Sequence, residues 1–355
     1  MTDATLRHRI EDARARTLLW LDSMAQPDGS YRISAHHDAA AWPGMLLPGT
    51  YNAVMCAHLL GQTPRTSADW LLRHRQPDGI FRIPGMLHDA VFKKPDPVET
   101  WRYIDFHITN YSLGAIEALA PDTVPILDFA RPFLDPLYLK AWLAERDLRD
   151  PWLEGNNIVN LGSFFLLMQR FSQADIAPAM ETLFAWHDRL QEPSTGFWGV
   201  GQHHSAIAAL HAMAGSMHNF HLWYATGRPL PYQDKAADYA LAQPTGIDSA
   251  CIDADLVDLL VHAGHRPVET EAWLRAKLVA LLDFQAADGG FPDEPTGIRR
   301  QDGWVRGYEE PQGLSNTFST WFRWIAIAMI ADSLWPGWHK WQFRRMVGIG
   351  YRRSP

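Results

Sequence analysis

One phrase recurs along the chain and narrows what it can fold into. It stands as Gln26-Pro27-Asp28-Gly29-Ser30-Tyr31, again as Gln76-Pro77-Asp78-Gly79-Ile80-Phe81, and then as Gln191-Glu192-Pro193-Ser194-Thr195-Gly196-Phe197-Trp198. A weak form follows at Gln243-Pro244-Thr245-Gly246, and the last copy is Gln285-Ala286-Ala287-Asp288-Gly289-Gly290-Phe291. Each copy closes an amphipathic segment: a helix ends, a glycine permits a left-handed turn, and an aromatic packs back beneath it. Most copies lie about 50 residues apart, and the one interval twice as long leaves room for a decayed copy near residues 130–150. Six such units fill the 355 residues, and no Pro/Gly-rich linker divides them.

Two kinds of helix alternate within the units. One set, over 6–25, 64–75, 136–147, 174–190, 231–242 and 269–284, carries apolar residues at helical spacing with charged outer faces. The other set, over 50–60, 107–119, 156–169, 204–226, 248–263 and 315–333, is rich in Ala, Gly and aromatics and nearly uncharged beyond its starts, as helices buried on most sides must be. Strand-like alternation is absent. The pattern predicts an all-α fold, a single (α/α)6 toroid of six helical hairpins over residues 1–355, with a tail at about 336–355.

Composition removes several alternatives. At 47% hydrophobic and 20% charged the chain buries enough surface to offset its entropy, so it is not disordered. Cys56 and Cys251 are the only thiols and make no disulfide scaffold. Net charge is −8 and the basic residues form no block beyond Arg344-Arg345 and Arg352-Arg353, read as a solvated end, so no nucleic-acid partner is expected. No apolar run is long enough for an integral membrane segment, and the N-terminus has no hydrophobic signal core, which predicts a cytoplasmic protein. The 16 Trp and 16 His point to an aromatic interior with polar groups set into it.

Thr50-Tyr51-Asn52-Ala53-Val54 through Leu59-Leu60-Gly61, followed by Ala68-Asp69-Trp70-Leu71-Leu72 and the Gln76 copy, resembles a repeat of the squalene-cyclase and protein-prenyltransferase β-subunit superfamily. So does Asp253-Ala254-Asp255-Leu256-Val257-Asp258-Leu259-Leu260, leading through Trp273-Leu274 to the Gln285 copy. The resemblance covers most of the chain at repeat level and implies the toroid fold rather than a particular reaction. It implies that Asp253-Ala254-Asp255-Leu256 stands where class II terpene cyclases carry an Asp-x-Asp-Asp acid, with Leu256 in place of the last Asp. In that family a protonated carboxyl donates to an alkene or epoxide. The prenyltransferase zinc set of Asp, Cys and His is imitated by Cys251 and Asp253, but not at the family's spacing, so no metal or other cofactor is expected.

In such a ring the inner helices point their first turns at a central cavity. Those turns carry His107, Asn110 and Tyr111; Asn156, Asn157 and Asn160; His203 and His204; Asp248, Asp253 and Asp255; and Asn316. Helix capping explains Asp248 and Ser315, but Asn157 and Asn160 lie three apart and share a face inside a helix. His204, His211 and His218 recur every seven residues as one stripe, widened by Asn219 and His221, with Gly215 a candidate kink. The loops Tyr31–Asp38 and Gln301–Glu310, with Trp304, Tyr308 and Glu309 and with Trp321 close by, suit a rim.

These features predict an enzyme using acid–base chemistry of cyclase, isomerase or lyase type on an apolar or isoprenoid small molecule. Asp253 or Asp255 would be the acid and His218 the base, with aromatic faces stabilising cations. A carbohydrate-active toroid is the alternative: a hydrolase pairing Asp255 with Glu309 or Glu310, or a lyase using Asn156, Asn157, His218 and Tyr308. A non-catalytic binding toroid is the third reading, and a homo-oligomer is compatible with all three.

Overall fold

The computed structural model describes residues 1–83, 97–146, 148–199, 205–294 and 308–352, and the side chains of residues 97–103 are not described. Its α-helices, among the described residues, are α1 (Asp3–Met24), α2 (Leu46–Leu59), α3 (Ala68–Leu72), α4 (Pro97–Leu119), α5 (Pro136–Ala144) and α6 (Pro151–Ser172). They continue as α7 (Ala177–Leu190), α8 (Ala206–Thr226), α9 (Gln233–Leu241), α10 (Ala250–Ala263), α11 (Pro267–Phe284) and α12 (Thr317–Leu334). The even-numbered helices pack each on the next, and α12 packs back on α2, so they close an inner ring. The odd-numbered helices lie outside, with α5 on α7, α9 on α11 and α11 on α1. This is the all-α toroid expected from the repeats. α4 begins at Pro97 rather than near residue 107, a start that a proline tolerates because its missing N–H is unpaired in the first turn anyway.

The recurring turn is a joint between the rings. In its first copy Gln26 N–H donates to Ser30 O at 2.7 Å, Gly29 takes φ +86°, and Asp28 Oδ1 accepts from Ser30 N at 3.0 Å. The aromatic that follows then donates its backbone N–H to a hydroxyl on the neighbouring inner helix: Tyr31 to Thr50, Phe81 to Thr109, Trp198 to Ser216 and Phe291 to Thr320. These bonds measure 2.9, 2.9, 2.7 and 2.9 Å and each satisfies a buried donor that would otherwise be orphaned. The unit at 130–150 has lost the turn. There Arg146 holds the outer helix instead, donating to Trp142 O and pairing with buried Glu154 at 3.3 Å. The ring closes where Gln285 Nε2 donates to Ala13 O at 2.9 Å and Trp335 Nε1 to Asp3 Oδ2 at 2.9 Å.

α8 runs unbroken through Gly215, so the glycine is not a kink. Its role is close approach to α6: a Cβ at Gly215 would lie 2.0 Å from Pro151 O, and one at Gly155 would lie 2.3 Å from Gly215 O. In an unobstructed helix Gly→Ala stabilises by about 1 kcal/mol. Here Gly215→Ala is expected to destabilise by about 3 kcal/mol, because the two helices must separate. A lower midpoint in urea denaturation checks the reversed sign.

The C-terminal segment, residues 335–352, is not the solvated end that its arginines suggested. Trp341, Arg344, Met346, Val347 and Ile349 are buried. The segment crosses the end of the ring where the inner helices finish, with Gln342 N on Leu59 O at 3.2 Å, Met346 N on Glu117 Oε2 at 2.8 Å and Ser163 Oγ on Val347 O at 2.9 Å. The apolar residues interleaved with the arginines drive this burial, and Gly348 and Gly350 supply the positive φ values the turn needs. Among the described residues, no helix is long and apolar enough to cross a membrane.

Candidate active site

The C-terminal segment identifies which faces of the inner helices look inward. Ser163 of α6 bonds to Val347, and Asn160 and Asn156 share its face at helical spacing. On α4, Asn110 accepts from Arg344 of the segment at 2.7 Å, which turns His107 and Tyr111 inward as well. Tyr51 of α2 stacks on Tyr111 at 5.5 Å, and Trp321 of α12 meets Tyr111 edge-on at 5.4 Å. His107 meets the Tyr111 ring edge-on at 4.3 Å. His107, Tyr111 and Asn156 are all buried. The result is an aromatic interior with an unpartnered amide donor, Asn160 Nδ2, aimed into it.

The acid–base groups stand between α8 and α10 in two rungs. In the first, His218 Nε2 lies 3.4 Å from Asp255 Oδ1. Asp255 is fully buried, and neither of its oxygens accepts a hydrogen bond of normal geometry. Burial raises its pKa above the ordinary carboxyl range, against the pull of His218 and with a push from Asp258. In the second rung, one turn on, His221 Nε2 lies 3.0 Å from Asp258 Oδ2 and His262 Nδ1 lies 3.1 Å from Asp258 Oδ1. Burial disfavours the Asp258 anion, but the two imidazoles overcome it and hold that carboxyl well below its ordinary range. Burial thus favours the protonated form of Asp255, while Asp258 favours the ionised form, because one has a single imidazole beside it and the other has two. Asp258 in turn raises His262 against its burial, with Arg352 opposing.

This second rung carries a pH dependence. His262 has a raised folded-state pKa, so its contribution is complete below the unfolded value near 6.5 and is lost as pH rises through the folded value. Asp258 has a depressed one, so its contribution is present above the unfolded value near 4 and is lost on acidification. Wild-type stability is expected to fall above pH 6.5 by about 1.5–3 kcal/mol more than that of His262→Gln. Urea denaturation of both proteins at pH 6 and pH 9 measures this difference.

Asp253 has a different fate from Asp255. It is fully buried between Lys277 of α11 and Arg323 of α12, and both bond to it. Its oxygens also receive Asp248 N–H at 3.3 Å. Asp253 thus ties α10 to α11 and α12 through a buried ion-pair network. Burial drives the Lys277 pKa down, with Asp253 opposing. Cys251 is half-buried beside Ser249, and among the described residues no group of three His, Cys, Asp or Glu side chains is arranged to hold a metal ion.

Several other expected residues are committed to packing. Asn157 donates to Glu154 at 3.0 Å, Asn156 to Trp152 O at 3.0 Å, and Asn219 to Gly155 O and Gly215 O where α6 and α8 cross. Asn316 caps α12 through Ser319 N at 2.8 Å. With α8 continuous, His211 and His218 share one face as expected, but they meet different partners: His211 packs on the Trp152 ring at 5.3 Å and His218 lies beside Asp255. Tyr308 donates to Glu310 at 2.9 Å and packs on His37 and Trp42, forming a group of its own, while Glu309 is exposed. His203, His204 and Trp304 lie outside the described residues.

Two buried charged groups had no signal in the sequence. Arg344 read as tail charge. Asp105 of α4 is buried in a fork with Arg82, at 3.1 and 2.8 Å, and burial raises its pKa against that pairing.

Compared by sequence with known families and with curated proteins, the chain matches none. Among solved structures it is similar to an arginine-to-alanine variant of the type II terpene cyclase MstE from Scytonema, in complex with the substrate geranylgeranyl dihydroxybenzoate. The TM-score is 0.52 at 13% identity, over 93% of this chain and 99% of that one. An aspartate-to-asparagine variant of the same cyclase with the same substrate gives a TM-score of 0.49 at 13% identity, over 94% and 99%. The first likeness shows a shared fold, the all-α toroid.

Proposed function

We propose that this terpenoid-cyclase-like toroid is a cyclase of isoprenoid substrates that starts its reaction by protonation. The observation that carries the reading is Asp255, a fully buried carboxyl with a raised pKa and one imidazole beside it, next to an aromatic interior. Its O–H proton is transferred to an alkene or epoxide of the bound chain. The electrons of that π bond or C–O bond leave a carbocation, and the next alkene closes a ring onto it. Tyr51, Tyr111 and Trp321 present π faces to the migrating positive charge. Loss of a proton from the last cation restores a double bond. His218, 3.4 Å from Asp255, is placed to accept that proton and return it to the carboxylate. Water is kept from the cation by burial of the interior faces and by the C-terminal segment.

The solved relative is described as binding a geranylgeranyl aryl acid, which is consistent with a long prenyl chain here. The carbohydrate-active reading has less support, since Glu309 is exposed, Glu310 accepts from Tyr308, and Asn156 and Asn157 donate to Trp152 O and Glu154. The test is incubation of the protein with linear prenyl alcohols, acids, phosphates and epoxides in deuterated water. One deuterium per cyclised product is expected at the site of initiation. Cyclic products without deuterium, or no product from any member of the panel, would reject the reading.

A further inference from the structure

We infer that the cavity at the closed end of the ring is an anion pocket in which Arg344 binds the carboxylate or phosphate end of the isoprenoid. This rests on the cyclase reading above and names the class of its substrate. The starting observation is an uncompensated buried charge. Arg344 is only 8% exposed, yet its guanidinium donates to neutral acceptors, Asn110 Oδ1 at 2.7 Å and Ile349 O at 3.1 Å, and its Nε has no partner. The other deeply buried arginines are each paired, Arg146 with Glu154 and Arg323 with Asp253. No carboxylate pairs with Arg344 among the described residues. Glu117 acts on it electrostatically but is itself bonded to Arg170 and to Met346 N–H. A buried cation in this condition calls for a counter-ion.

A place for that counter-ion exists. A cavity of about 110 Å³ is walled by Arg344, Gly114, His58, Trp321, Arg345 and Glu117. At Gly114 a Cβ would lie 2.6 Å from Arg344 Nη2 and 2.9 Å from Nε, so only a glycine lets α4 pack this closely against the guanidinium where both line the cavity. The cavity also belongs to the reaction space. Arg344 lies over the Tyr111 and Trp321 rings, with centroids 5.7 and 6.0 Å away. Burial first, and then both His218 and Arg344, hold the His107 imidazole, which meets the Tyr111 ring edge-on, down to about 3. A carbocation formed beside a bare guanidinium is repelled by it, and an anion on Arg344 removes that repulsion. A substrate that brings its own anion satisfies both demands, with its charged end at the closed end of the ring and its reactive end at Asp255.

The test measures binding without turnover, in the Asp255→Asn protein, by titrating geranylgeranyl monophosphate, geranylgeranoic acid, geranylgeraniol and inorganic phosphate. The two anionic prenyl ligands are expected to bind at least about tenfold more tightly than the alcohol, as a charged hydrogen bond allows. In Arg344→Gln that ratio is expected to fall to about one. Equal binding of alcohol and anions, or a preference that survives Arg344→Gln, would overturn the inference. So would inorganic phosphate binding as tightly as the prenyl phosphate, which would mark the pocket as a site for free anions. Should Arg344→Gln fail to fold, Glu117→Gln provides the second arm. Neutralising the carboxylate on the cavity wall is expected to tighten prenyl phosphate binding several-fold, and an unchanged affinity counts against the pocket. Absence of cyclisation by the wild-type protein would sink the cyclase reading alone, since these titrations do not depend on it.

Discussion

Asp255→Asn is expected to remove cyclisation, with a loss of about 10²–10⁴-fold or more in kcat on any isoprenoid the wild-type protein turns over. The amide has the shape of the carboxyl and can still face His218, but it has no proton acidic enough for an alkene. The same change is expected to leave folding intact and to raise stability at neutral pH. The sign follows from the raised pKa of Asp255: a carboxyl harder to ionise in the fold than in the open chain weakens folding at every pH above its unfolded value near 4. An amide at that position has no such penalty. Single-turnover kinetics together with a thermal melt read both effects. Full activity in Asp255→Asn would remove the proposed acid, and a protein that no longer folds would show that the residue is structural.

Asp253→Asn is expected to do the reverse. Two residues away, it leaves Lys277 and Arg323 buried against a neutral amide, and breaking a buried ion pair from one side costs about 3–5 kcal/mol. The melting temperature should fall steeply, while kcat per folded molecule at low temperature should stay within a few-fold of wild type. A variant that melts normally and is inactive would reassign the proton donor to Asp253. The two variants together separate the neighbouring carboxyls by function, which the local sequence Asp-Ala-Asp does not.

That contrast shows where local sequence stops being informative. Asp253 and Asp255 stand on one turn of α10 and look alike in sequence, but the helix points them at different neighbours. Asp253 meets α11 and α12, which happen to bring a lysine and an arginine, and Asp255 meets a single imidazole from α8. The histidines of α8 meet different partners for the same reason. His211, His218 and His221 lie close in sequence, yet one faces a tryptophan of α6 and the other two face different carboxyls of α10. Spacing assigns a side chain to a face of its helix, and what stands opposite comes from another part of the chain.

The toroid itself was readable because its determinants are local and repeated. A Gln-Pro-Asp-Gly turn ends an outer helix wherever it occurs, and helices of two compositions alternate in order, so the closed ring follows from the repeat count. The same reasoning located the inner faces of α4 and α6, with His107, Asn110 and Asn160. Partners distant in sequence were not readable: the hydroxyls of Thr50, Thr109, Ser216 and Thr320 that receive each turn, the glycine contact between α6 and α8, and the route of the C-terminal segment. Arg344 is the clearest case. By sequence it is one of several arginines in a charged tail, and only the packing of Trp341, Met346, Val347 and Ile349 around it carries its guanidinium under the aromatic interior. Periodicity determined the ring; desolvation and long-range pairing, which exist only once the ring has closed, decided which of its charges remain available for chemistry.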